Sequence, residues 1–252
     1  VYVPATPSLP FTSNDYETWA AGISRDAVIY VGANDGMLHA FDAADGSELF
    51  AYVPSLVFSN LKKLAETNYS HLYYVDMTPT SRNNVVVNGS SITMLVGGLG
   101  KGGKGYYALD ITDADTIASE MDLAGRVMWE YPAGTDDDMG YTYGRTTIAE
   151  TNSSVHPWVV VASNGYNSIN SKAVLYILNA EDGSVVKKFD TDTGTCNGLS
   201  VPTAIDADTD GKIDYVFAGD VEGNMWKFDM SSTDHTQWGI AFEDAGVPKP
   251  LF

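Results

Sequence analysis

The stretch Val28-Ile29-Tyr30-Val31-Gly32-Ala33-Asn34-Asp35-Gly36-Met37-Leu38-His39-Ala40-Phe41-Asp42 reads as an apolar strand, a glycine-rich turn and a second strand that ends on an acid. A single hairpin of this kind cannot bury its apolar face by itself. The same grammar returns three times. Thr93 to Val96 leads through the loop Gly97 to Gly105 into Tyr106-Tyr107-Ala108-Leu109-Asp110. Trp158 to Val161 leads through Gly165 into Ala173 to Asn179, and Tyr215 to Ala218 leads through Gly219-Asp220-Val221-Glu222-Gly223 into Asn224 to Asp229. The closing residues fall at 42, 110, 179 and 229, with steps of 68, 69 and 50 residues. Those steps are long enough for a four-stranded unit with a variable insertion.

Three of the repeats add a further strand: Leu49 to Val53, Val127 to Tyr131 and Val185 to Phe189. In the first and third, Asp45-Gly46 and Asp182-Gly183 lead into it. Asp-Gly suits a hairpin turn because both residues tolerate positive φ. Radial stacking of such units buries their faces and leaves only short edges, so the expected fold is all-β, a β-propeller over residues 1–252. The expected helical insertion lies between the first two repeats. There Leu56, Leu61 and Leu64 recur at near-helical spacing, with Lys62, Lys63 and Glu66 on the other side.

Composition narrows the function. The 252 residues carry a formal net charge of −19, which disfavours nucleic acid and anionic membrane surfaces as partners. No apolar run is long enough for a membrane span. Cys196 is the only cysteine, so no intrachain disulfide forms, and it is expected to be a buried or unreactive thiol.

Between the third and fourth repeats lies Asp206-Ala207-Asp208-Thr209-Asp210-Gly211-Lys212-Ile213-Asp214. Acids at positions 1, 3, 5 and 9, with glycine at 6, follow the spacing of a Ca²⁺ loop, whose ion needs six to eight oxygen ligands. Asp206, Asp208 and Asp210 would offer carboxylate oxygens and Lys212 its carbonyl, its ammonium pointing to water. Asp214 would close the site, directly or through water. The twelfth position is Phe217, so the bidentate Glu of an EF-hand is absent, and a strand follows the loop where that motif has a helix. Neither His nor Cys is present for zinc. Asp113, Asp115 and Asp122, and the run Asp136 to Asp138, are expected to be solvated loops.

Other motifs carry no chemistry on this reading. Gly98-Leu99-Gly100-Lys101-Gly102-Gly103 has the spacing of a dinucleotide fingerprint, but a strand follows it, and phosphate binding there needs a helix N-terminus. The histidines 39, 71, 156 and 235 show no metal-ligand spacing, and no Gly-x-Ser-x-Gly elbow occurs.

The repeat resembles the blades of quinoprotein propellers. Several longer strings are similar to the propeller of the PilC/PilY class of bacterial type IV pilus proteins. They are Val31 to Asp42, Leu95 to Asp113, Asn164 to Asn167, Asp214 to Asp220 and Gly223 to Asp229. That resemblance implies a ring of about seven blades and one calcium loop mapping onto Asp206, Asp208, Asp210, Lys212 and Asp214. It implies an exported, non-enzymatic protein at the pilus tip or outer surface, outer-membrane associated. Its expected roles are pilus assembly, twitching motility and attachment to host or abiotic surfaces, with minor pilins as partners. The family's N-terminal von Willebrand A-like region is not among these residues. Two alternatives share the fold: a PQQ-dependent quinoprotein dehydrogenase, and a sugar-binding propeller using Trp129, Trp158, Trp226 and Trp238. The first typically needs a vicinal disulfide that one cysteine cannot make.

Overall fold

A computed structural model describes residues 1–7, 14–132, 134–192 and 196–252. The chain divides into two compact units, Val1–Tyr131 and Pro132–Phe252, with the boundary between the second and third repeats.

In the first unit, β1 (Tyr2–Val3), β2 (Val28–Gly32), β3 (Leu38–Asp42) and β4 (Glu48–Tyr52) form one antiparallel sheet in that order. A second sheet runs β5 (Thr80–Val87), β6 (Ser90–Gly98), β7 (Tyr106–Asp110) and β8 (Val127–Tyr131). The second unit repeats the plan. Its sheets are β9 (Thr147–Glu150), β10 (Trp158–Ser163), β11 (Val174–Asn179) and β12 (Val185–Asp190), then β13 (Thr203–Ile205), β14 (Tyr215–Gly219), β15 (Met225–Asp229) and β16 (Gly239–Ile240). A two-stranded ribbon, β17 (Glu243–Asp244) and β18 (Val247–Pro248), follows. Each four-stranded sheet is one up-and-down meander, the unit expected of a propeller blade.

The repeated closing residue has one physical role in all four sheets. A carboxylate or amide oxygen on it accepts the backbone N–H two residues on: Ala44 onto Asp42 at 2.7 Å, Thr112 onto Asp110 at 3.0 Å, Glu181 onto Asn179 at 3.2 Å and Ser231 onto Asp229 at 3.0 Å. Asp and Asn suit that place because their short side chains build this turn without help from elsewhere. At Asp45-Gly46 and Asp182-Gly183 only the glycines take positive φ, +78° and +70°. The turn is longer than a two-residue hairpin, since Ser47 and Ser184 carbonyls accept from Asp42 and Asn179.

The fourth strand carries a second recurrent mark. Leu49, Met128 and Val186 each stand as one extra residue opposite the third strand, a β-bulge at the same place in three sheets.

Burial follows the two-residue period in β2, where Val28 and Tyr30 are buried while Ile29 and Val31 are exposed. Val28, Tyr30, Leu38 and Ala40 pack in one core with Leu95, Tyr107 and Leu109 of the second sheet. In the second unit Val159, Val161, Leu175 and Ile177 share a core with Val216, Ala218, Trp226 and Phe228. A fully buried side chain such as Phe228 contributes roughly 1.5–3 kcal/mol relative to exposure. The strands β6, β7, β10 and β11 are covered on both faces along most of their length, which is why they read as unbroken apolar runs.

Among the expectations, the helical insertion is one mixed segment: 3₁₀ at Ser55–Val57, α at Phe58–Leu61 and 3₁₀ at Lys62–Ala65. Its innermost residue is Val57, whereas Leu64 is exposed. An unexpected helix α1 covers Asn14–Ala21 and donates Trp19 Nε1–H to the Ser91 carbonyl at 3.0 Å. Of the buried or unreactive thiol expected at Cys196, burial does not hold: the side chain is exposed. Of the described residues, no helix is long and apolar enough to cross a membrane.

Candidate metal centre

The aspartate-rich loop joins β13 to β14 within the second unit, and its base is anchored firmly. Ile213 is buried in that unit's core, and its N–H donates to the Glu150 carbonyl at 2.9 Å. Asp214 donates its N–H to Ile205 at 2.8 Å and accepts from Met230 N–H at 2.7 Å. These bonds fix both stems of the loop, leaving the acids between them on a short arc.

The arc folds on its own carboxylates. Asp206 Oδ1 accepts from Thr209 N–H at 2.7 Å, and its Oδ2 accepts from Gly211 N–H at 2.8 Å. Asp208 Oδ1 accepts from Asp210 N–H at 3.2 Å, and Asp210 Oδ1 from Lys212 N–H at 2.9 Å. Thr209 and Gly211 take positive φ, +66° and +93°. A Cβ at Gly211 would meet nothing within 4 Å, so the backbone angle and not crowding calls for glycine there.

The outcome is that Asp206, Asp208 and Asp210 each offer a carboxylate oxygen within 4.8 Å of the others. Asp208 and Asp210 are exposed and Asp206 is half-buried. Each of these oxygens keeps a lone pair beyond the one used by a backbone N–H. Hard, ionised oxygens at this spacing fit a hard dication such as Ca²⁺.

The other two predicted residues stand differently. Lys212 Nζ leans back to 3.8 Å from Asp210 Oδ2 and does not simply point to water. Asp214 is buried: its Oδ2 accepts from Ala207 N–H at 2.7 Å and its Oδ1 from Asn152 Nδ2 at 3.3 Å. It pins the start of the loop and ties it to the strand end at Glu150. Asn152 was not visible in the sequence as part of this site, because it lies 62 residues from the acid it meets.

The remaining sequence motifs resolve into packing. The loop Gly98 to Gly103 contains a short 3₁₀ turn, Gly100–Gly102, and leads into β7. A Cβ on Gly102 would come within 1.8 Å of the Tyr74 carbonyl, so close chain approach explains that glycine. Asp136 and Asp138 are not solvated as expected, since both accept from Lys188 Nζ, at 3.1 and 2.8 Å. Asp113 pairs with Arg126, Asp115 accepts from Asp26 N–H, and Asp122 accepts from the hydroxyl of Ser119, the N-cap of the short helix Glu120–Ala124. His39 lies between two carboxylates, with Nδ1 2.5 Å from Glu48 and Nε2 2.9 Å from Asp35. His156 and His235, 79 residues apart in sequence, meet edge to face at 4.7 Å between ring centres. All four tryptophans considered for sugar stacking are buried.

Comparison with known proteins agrees with this architecture. Residues 4–241 match the family described as the PilY1 beta-propeller domain. Among curated proteins, a type IV pilus biogenesis factor PilY1 of Pseudomonas aeruginosa strain UCBPP-PA14 is 41% identical over 224 residues, 86% of this chain and 18% of the relative. A PilY1 homolog of Xylella fastidiosa is 42% identical over 236 residues, 89% of this chain and 15% of the relative. The chain thus spans less than a fifth of the length of these relatives. Among solved structures, the Pseudomonas aeruginosa PilY1 C-terminal domain superposes with a TM-score of 0.79 at 34% identity, covering 98% of this chain and 51% of that one. The dehydrogenase alternative finds no support in these relatives. With its four-stranded sheets and this match along nearly its whole length, the chain belongs to the PilY1 β-propeller domain family of type IV pilus proteins.

Proposed function

We propose that this chain is the calcium-responsive propeller portion of a pilus biogenesis factor. In this reading both units belong to one propeller domain with no enzymatic activity. The protein is secreted and works at the pilus tip or outer cell surface, where it supports pilus assembly, twitching motility and attachment. Minor pilins at the tip, and host or abiotic surfaces, are its partners. The relatives' names support the pilus role.

The observation that carries the calcium reading is the convergence of Asp206, Asp208 and Asp210 on one point. These three would hold Ca²⁺ directly, with the Lys212 carbonyl beside them and Asp214 completing the set directly or through water. The bound ion supplies charge neutralisation and nothing more: three mutually repelling carboxylates become a rigid arc. The stems carry that rigidity into the fold, because Ile205 pairs with Tyr215 of β14 and accepts from Asp214 N–H, while Ile213 N–H is bonded to Glu150 at the end of β9. Terbium luminescence and calorimetry test this reading. One site is expected, and Asp208→Ala should remove it; an Asp208→Ala protein that binds with unchanged affinity refutes the assignment.

A further inference from the structure

His156 and His235 share no motif in the sequence, yet the second unit brings them together. His156 lies on the connection between β9 and β10, and His235 opens the 3₁₀ turn His235–Gln237 between β15 and β16. The two histidines thus belong to different sheets of one unit, β9 to β12 and β13 to β16. Their ring centres are 4.7 Å apart and the ring planes stand at 86°.

Each histidine is held in place through its backbone. The Thr151 hydroxyl donates to the His156 carbonyl at 2.7 Å, and His156 N–H donates to Ser153 Oγ at 3.4 Å. Asp234 Oδ1 accepts from the N–H and the hydroxyl of Thr236 at 2.9 and 2.7 Å, which fixes the turn that begins at His235. Buried Trp238 backs the His235 ring at 6.0 Å between centres, and its own Nε1–H donates to the Ser232 carbonyl at 2.8 Å. Lys187 Nζ of β12 donates to the Thr236 carbonyl at 3.2 Å, a further tie between the same two sheets.

The rings themselves are treated otherwise. Both are half-buried, and among the described residues no group makes a hydrogen bond to a ring nitrogen of either. Burial and the neighbouring His235 lower the pKa of His156, while Asp182 pulls it the other way. The His156 ring is therefore neutral at pH 7, the form that ligates a metal. Asp182 acts on His156 and Asp234 on His235, so carboxylates favour a cation beside each ring, and Lys187 offsets part of that field at Asp234.

We propose that His156 and His235 form a binding site for a first-row dication, zinc above all, that clasps these two sheets together. Imidazole suits zinc, copper and nickel, whereas calcium takes oxygen ligands, so the site is chemically distinct from the aspartate loop. With Zn–N bonds of about 2.0–2.1 Å, two imidazoles at square-planar to tetrahedral angles have ring centres about 4.5–5.2 Å apart. The observed 4.7 Å falls inside that range. A turn of either ring about its Cβ–Cγ bond would aim one nitrogen of each at a common point, with water in the remaining positions.

Calorimetry and thermal melts of the 252-residue chain, freed of any added histidine tag, test the proposal. Excess calcium is present throughout, so that the aspartate loop does not compete for zinc. One zinc per chain is expected to bind at micromolar zinc. At a hundred times its dissociation constant it should raise Tm by roughly 5–11 °C. His156→Ala and His235→Ala should each weaken binding by at least the roughly 10- to 100-fold that losing a mere supporting residue costs a metal site. His71→Ala, in the first unit, should leave it unchanged. Neither ring makes a hydrogen bond to the described residues, so both variants are expected to keep the wild-type circular dichroism spectrum. Copper(II) on the wild type gives a check that needs no variant: electron spin echo modulation should register two imidazoles. No binding below millimolar zinc, an affinity unchanged in either variant, or a copper spectrum with fewer than two imidazoles overturns the proposal and leaves the pair as a packing contact.

Discussion

Replacing Asp208 by alanine should change stability in opposite directions with and without calcium. The oxygens of Asp206, Asp208 and Asp210 lie within 4.8 Å of one another. At that distance each pair of charges repels by at least ~0.9 kcal/mol in a water-like dielectric, which is the right limit for a loop this exposed. Asp208→Ala removes two of the three pairs, a relief of about 2 kcal/mol. It also removes the acceptor for Asp210 N–H, at a cost of about 1 kcal/mol. The variant should therefore be about 1 kcal/mol more stable than the wild type in chelator. Calcium at a hundred times its dissociation constant adds about 2.7 kcal/mol to the wild type alone. For a chain of this length that is a rise in Tm of roughly 5–11 °C. Thermal melts followed by circular dichroism, in EDTA and in calcium, read both effects. A calcium-induced rise of the same size in Asp208→Ala would refute the reasoning, as would a variant clearly less stable than the wild type in EDTA.

Three further outcomes are expected. Burial of the His39 ring by itself lowers its pKa, but the hydrogen bonds to Glu48 and Asp35 outweigh that and raise it. Its contribution is therefore present in full below the ordinary value of about 6.5 and is lost as pH rises through the raised one. Melts at pH 5.5 and 8 should show that His39→Ala loses this acid-side stabilisation. Asp220 accepts from Asn197 Nδ2, Asn224 Nδ2 and Trp226 Nε1 on one oxygen and from Asn224 N–H on the other, each at 2.9 Å. Asp220→Ala strands the N–H of a fully buried tryptophan and should cost about 3 kcal/mol by urea titration, with a shift in Trp fluorescence. Gly102→Ala forces a methyl against the Tyr74 carbonyl and should cost roughly 1–3 kcal/mol, read as a lower urea midpoint.

The two central strands of every sheet were legible in the sequence, and the outer ones only in part. Strands such as β10 and β11 announce themselves because they are apolar on both faces and end at a turn-building Asp or Asn. The first strands, Thr80–Val87, Thr147–Glu150 and Thr203–Ile205, carry little alternation; pairing with their neighbours defines them, and pairing is not written locally. The same limit applies to the loop. Alternate spacing brings Asp206, Asp208 and Asp210 together because each folds the backbone onto itself. Asp214 turns inward toward Asn152, a partner that no local pattern can name. His156 and His235 meet for the same long-range reason.

The extra residue at Leu49, Met128 and Val186 bears on how crowded copies of this protein behave. Each lies in the strand at the rim of its sheet, where unpaired backbone groups could recruit a neighbouring molecule. An insertion there breaks the regular spacing that a foreign strand would need to zip alongside. Removing the inserted residue would restore a straight border and, with it, a route to fibrous self-association.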